Sequence, residues 1–137
     1  MHRPSLVGSW IATVFETDGP PTRALFTFGA DGAMVAAEHP VVTPPGAPGV
    51  IFTSSGHGVW EATGPETAIV TCIGLGSDGQ GNLFAAVTYR ASITLGSGGQ
   101  TLGGEIVATI ADPAGNTLAT FPMTLQGTRI VAEAPAA

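Results

Sequence analysis

Lysine is absent from this 137-residue chain, and its whole basic complement is four arginines against ten acidic side chains. With a net charge of -6 and only 10% charged residues, the surface repels phosphate backbones and anionic headgroups, so neither nucleic acid nor a membrane is an expected partner. Cys72 is the only cysteine, which rules out a disulfide within the chain and gives no support to an oxidising compartment. As a lone thiol it reads as a small core residue rather than a nucleophile. No apolar run approaches the roughly 20 residues of a membrane-spanning helix, and residues 1–4 lead into the first apolar segment without a signal core. A cytoplasmic location is the expectation. No stretch sustains a helical period, which limits helix to single turns, and no repeat of about 20–50 residues is evident.

What the chain has is turns and alternation. Twenty glycines and eleven prolines among 44% hydrophobic residues describe a turn-rich all-β protein, since a disordered chain would combine low hydrophobicity with high charge. The length suits one domain, residues 1–137, able to bury about two-thirds of its unfolded surface. Turn chemistry divides it into eight extended runs: 6–16, 24–28, 33–39, 57–63, 67–75, 83–95, 101–111 and 117–131. The sixth alternates best, with Leu83, Ala85, Val87, Tyr89, Ala91, Ile93 and Leu95 on one face, so Tyr89 is expected to point inward. Eight consecutive strands with mostly short links predict an antiparallel up-and-down barrel, which leaves no open edge. A two-sheet sandwich is the alternative.

The first run carries Gly8-Ser9-Trp10 and the last ends near Arg129, which shares alternation parity with Phe121, Met123 and Leu125. A planar guanidinium stacked on an indole is worth roughly 0.5–2 kcal/mol, and this pairing would join the two ends of the chain. With a Gly-x-Trp opening the first strand and an Arg ending the last, the chain resembles the calycin group, the lipocalins and fatty-acid-binding proteins. That resemblance implies a lipocalin-like barrel whose cavity takes a small apolar molecule.

Loop lengths orient such a barrel. Links 29–32, 64–66 and 96–100 are tight, whereas 17–23, 40–56 and 76–82 are longer. Trp10 and Arg129 fall at the tight end, which is then the plug, and 40–56 becomes a lid over the mouth. The polar groups nearest that mouth are Glu38, His39 and His57, with Ser54 and Ser55 beside them. A His with a carboxylate partner can act as a general base near neutral pH, and a Tyr can donate to a developing oxyanion. His57, Glu38 and Tyr89 are thus the catalytic candidates, and Trp60, Tyr89, Phe121, Met123 and His39 the ligand-binding ones. In the plainer reading His57 caps the loop, Glu38 is solvated and Tyr89 is a core aromatic. Parity places His57 and Trp60 on opposite faces of a regular strand, so they cannot both line the cavity.

His2, His39 and His57 lack metal-ligand spacing, Ser54-Ser55-Gly56-His57 lacks the strand-to-helix setting of a nucleophile elbow, and no helix follows Gly96-Ser97-Gly98-Gly99 to bind phosphate. No metal and no cofactor is expected. Two functions follow from the residues: a carrier of a small apolar ligand, or a cofactor-independent isomerase or cyclase using the same cavity. Apolar Ile11, Phe15 and Phe84 on expected outer faces add a homo-oligomer as a further reading.

Overall fold

The computed structural model describes residues 5–17, 19–43 and 49–136. Ten strands follow one another: β1 (Gly8–Glu16), β2 (Thr22–Phe28), β3 (Ala33–Glu38), β4 (Val41–Val42), β5 (Ile51–Thr53), β6 (Gly56–Ala62), β7 (Thr67–Ser77), β8 (Leu83–Leu95), β9 (Thr101–Ala111) and β10 (Thr117–Arg129). The only helical segment among the described residues is a 3-10 turn, Ser97–Gly99. Among the described residues no helix is long and apolar enough to cross a membrane.

Eight of the strands form the predicted barrel. Each of β1, β2, β3, β6, β7, β8, β9 and β10 pairs antiparallel with its neighbour in that order, and β1 pairs with β10 to close the ring. The pattern that builds the wall is clearest in β7, where Ala68, Val70, Cys72, Gly74 and Gly76 are buried and the intervening Ile69, Thr71, Ile73 and Leu75 are exposed, the period of two that a half-buried strand requires.

The turns carry their own chemistry. Asp78-Gly79-Gln80-Gly81-Asn82 and Asp112-Pro113-Ala114-Gly115-Asn116 are one device used twice. In each, a single aspartate oxygen accepts two backbone N–H groups, those of Gln80 and Asn82 or of Ala114 and Asn116, at 2.9–3.0 Å. The glycine at position four has φ of +84° or +92°, a left-handed conformation that a Cβ disfavours.

The plug at the tight-link end matches the expected pairing. Trp10 lies opposite Arg129 in the β1–β10 ladder and is fully buried, with the guanidinium carbon 4.3 Å from its ring centroid. The indole Nε1 donates to Leu6 O at 2.9 Å. Arg129 donates from Nε to Gly99 O, from Nη1 to Val7 O and from Nη2 to Ser5 O. Its fork therefore ties the segment before β1 to the β8–β9 link. The approach is close enough that a Cβ on Gly8 would sit 2.8 Å from Arg129 Nη1.

The segment 40–56 departs from a plain loop. Val41–Val42 and Ile51–Thr53 pair with each other as a small hairpin, and β5 pairs with the far end of β7, Phe52 opposite Ser77 and Thr53 opposite Gly76. Residues 44–48 of the expected lid lie outside the described residues, as does Asp18 of the first link.

Candidate functional site

The barrel encloses a cavity of about 420 Å³, within the roughly 300–1,000 Å³ of small-molecule sites. Its wall is apolar where it runs down toward the plug, with Phe26, Phe28, Met34, Val70, Ile106 and Leu125 among the lining residues. Room on the β6–β7 side comes from glycine. Gly56 and Gly74 line the cavity there, and the β6–β7 contact admits no side chain at Gly58, whose Cβ would collide with the Thr71 carbonyl.

The same strip of small residues seats the hairpin over the mouth. Ile51 is buried at 3% exposure and lines the cavity, and a Cβ on Gly76 would meet its Cγ2 at 2.8 Å. Polar contacts fasten the hairpin. Thr53 N donates to Pro40 O, Ser54 N donates to Leu75 O, and Ser54 Oγ accepts the Leu75 N–H.

A small polar group interrupts the apolar wall near the mouth. Tyr89 on β8 donates its hydroxyl proton to Glu38 Oε1 on β3 at 3.1 Å. Cys72 lies opposite Tyr89 in the β7–β8 ladder, and Glu16 lines the cavity from the end of β1. Burial pushes the Glu38 carboxyl above its ordinary value; the Tyr89 hydrogen bond opposes that, the charge on Glu16 adds to it and His39 counters. Tyr89 is raised by burial and then by the neighbouring Glu38 charge. Cys72 is pushed up to about 11, again by burial first and Glu38 second, which keeps it a neutral, unreactive thiol near pH 7. The group as a whole can orient a polar head, and a carboxyl of raised proton affinity can exchange a proton with a bound molecule.

The expected residues divide cleanly. Glu38, Tyr89, His39, Phe121 and Met123 all line the cavity. His39 sits at the rim, its Nε2 accepting the Arg23 backbone N–H at 3.3 Å. His57 does not belong to the site. It pairs with Val35 and Ile73, both exposed on the outer face, and its Nε2 lies 3.2 Å from the Ser55 hydroxyl. The cause is register, because the inward positions of β6 are Gly56, Gly58 and Trp60. Trp60, expected to bind the ligand, is not among the residues that line the cavity. It points inward at the plugged end, where Nε1 donates to Gly29 O at 2.9 Å and its ring packs edge-on to Phe28 at 6.0 Å.

Glu16, Cys72, Phe84 and Ile51 line the cavity without having been expected there from the sequence. Glu16 continues the inward series Trp10, Ala12, Val14, and Cys72 the series Ala68, Val70, so both were accessible to the same alternation argument. Phe84 was expected outside. It is the extra residue of a bulge, since Gly76 lies opposite Ala85 while Ser77 lies opposite Leu83, and it lines the cavity mouth; bulges re-aim side chains in this way. Ile51 carried no legible signal, because a three-residue strand shows no period.

Among the described residues no three His, Cys, Asp or Glu side chains cluster to hold a metal ion; His2 lies outside them. No protein-family model and no curated protein matches the sequence.

Proposed function

We propose that the barrel binds one small apolar molecule in its interior, with Glu38 and Tyr89 fixing the orientation of that molecule's polar end. The observation that carries this reading is the cavity itself, apolar in depth, plugged below by Trp10 and Arg129, and polar only near the hairpin-covered mouth. The Gly8, Trp10 and Arg129 arrangement supports grouping the chain with the calycin barrels, whose resemblance implies the same kind of ligand. Native mass spectrometry of protein purified from its own source tests the proposal. A retained molecule at one per chain supports it, and protein that emerges empty and also fails to take up a neutral apolar dye refutes it.

One observation favours a second reading, a cofactor-independent isomerase or cyclase. The Glu38 carboxyl and the Tyr89 hydroxyl face the cavity side by side, an arrangement in which a carboxylate can remove a proton and a phenol can steady the resulting anion. His57 has no part in this version. Single-turnover measurements on the copurified molecule with Glu38→Gln separate the two: chemistry slowed about 10²–10⁴-fold with binding retained marks an enzyme, and an unchanged fate of the molecule marks a carrier.

A further inference from the structure

At the Glu38–Tyr89 cluster the polar atoms are of one kind. Tyr89 spends its only hydroxyl proton on Glu38, so what remains there for a ligand is the Tyr89 lone pairs, the second Glu38 oxygen and the Glu16 carboxylate, all acceptors when the acids are ionised. Of the hydroxyls that also line the cavity, Thr53 and Ser54 donate to the His39 and Ser55 carbonyls, and Thr22 and Thr43 can donate or accept. Among the described residues no arginine lines the cavity. The Arg129 guanidinium is stacked on Trp10 and committed to three backbone carbonyls at the plug, and neither residue lines the cavity. Arg23, nearest the mouth, is exposed and pairs with Thr13, whose position alternates with inward Ala12 and Val14. Among the described residues His39 is the one basic side chain that lines the cavity. Asp78 and Asp112, in the β7–β8 and β9–β10 links at the same end of the barrel, add further negative charge there.

We propose that the cavity selects an apolar amine, with its protonated nitrogen donating to Glu38 and Glu16 beside Tyr89 and its hydrocarbon body lying along Phe26, Met34, Val70 and Ile106. This rests on the binding reading above and names the ligand class. An ammonium supplies up to three donors to a site made of acceptors, an alcohol supplies one, and a carboxylate supplies none while adding like charge. The ammonium also favours the ionised form of Glu38, offsetting the burial that disfavours it. The acidic rim draws a cation toward the mouth and slows the approach of an anion.

The test is displacement of the neutral dye N-phenyl-1-naphthylamine by three molecules of equal chain length, decylamine, decanol and decanoate, at pH 7. Decylamine is expected to bind about ten- to hundredfold more tightly than decanoate, with decanol between them, as charge-assisted hydrogen bonds would give. In Glu16→Gln/Glu38→Gln the preference for decylamine over decanol, read as the ratio of the two affinities, should disappear. Decanoate binding as tightly as decylamine, or an amine preference surviving in the double variant, overturns the inference while leaving apolar binding intact. Failure of the dye and all three molecules to bind overturns the binding reading and this inference together.

Discussion

Tyr89 and Glu38 stand 51 positions apart in sequence and meet across the barrel interior in a single hydrogen bond of 3.1 Å. The bond opposes the effect of burial on the carboxyl at the mouth. Burial raises Glu38 most strongly, and the Tyr89 proton is the largest opposing influence. Tyr89→Phe should therefore raise the Glu38 pKa further, and Glu16→Gln should lower it, both read from the side-chain carboxyl carbon in an NMR titration. A Glu38 resonance that titrates at 4.5, its ordinary value, and ignores both substitutions would contradict this arrangement.

Stability carries the same signature with a definite sign. A carboxyl whose folded-state pKa is raised contributes stability that is complete below its unfolded pKa and lost as pH rises through the folded value. Asp78 and Asp112, lowered chiefly by backbone N–H donors, act oppositely: their contribution is present above their unfolded pKa and lost as pH falls. Urea unfolding of Glu38→Gln should show a stability, relative to the parent, that is higher at pH 7 than at pH 5. A difference independent of pH would mean that Glu38 is not held in the folded state as described.

Trp10→Ala should cost about 3–5 kcal/mol, the usual range for truncating a large core aromatic. Arg129→Lys should also destabilise, because an ammonium cannot reproduce the planar stack or the three-way fork to Gly99, Val7 and Ser5. Denaturant midpoints measure both. A loss under about 1 kcal/mol for Trp10→Ala would remove the plug as a structural element.

Most of the barrel was legible because its signals are periodic or positional. Eight runs, their turns, the sorting of long and short links to opposite ends, and the Trp10–Arg129 closure all follow from alternation and from Gly, Pro and Asp placement. Alternation also placed Tyr89 inward and set His57 against Trp60. What it could not reveal are departures from period two. Phe84 enters the cavity through a bulge, and the lid holds two strands too short to show any pattern. His57 looked central because it begins a strand beside the lid, but which face it takes depends on register, and register put three smaller or plug-directed residues inward instead.

His57→Ala should accordingly change neither stability, beyond about 0.5 kcal/mol, nor dye affinity, as for other exposed substitutions away from a site. A tenfold loss of dye affinity would return His57 to the cavity.

Gly76→Ala tests how the hairpin is seated. The new methyl would press on Ile51, so amide exchange should accelerate at Thr53 and Ser54, whose N–H groups bond Pro40 O and Leu75 O, while amides of the β1–β10 ladder keep their protection. Dye release should quicken in parallel. Unchanged exchange at Thr53 and Ser54 would show that the hairpin does not rest on this glycine.

The central claim is that the interior of the barrel is the binding site, and filling it is the most direct test. Ala91 lines the cavity from β8, and Ala91→Phe would place a ring where the apolar body of a ligand should lie. Titration with N-phenyl-1-naphthylamine should give one site per chain in the parent and an affinity at least about tenfold weaker in Ala91→Phe, with a circular dichroism spectrum and cooperative unfolding like the parent's. A folded Ala91→Phe that binds the dye as tightly as the parent would place the binding site elsewhere and contradict the claim.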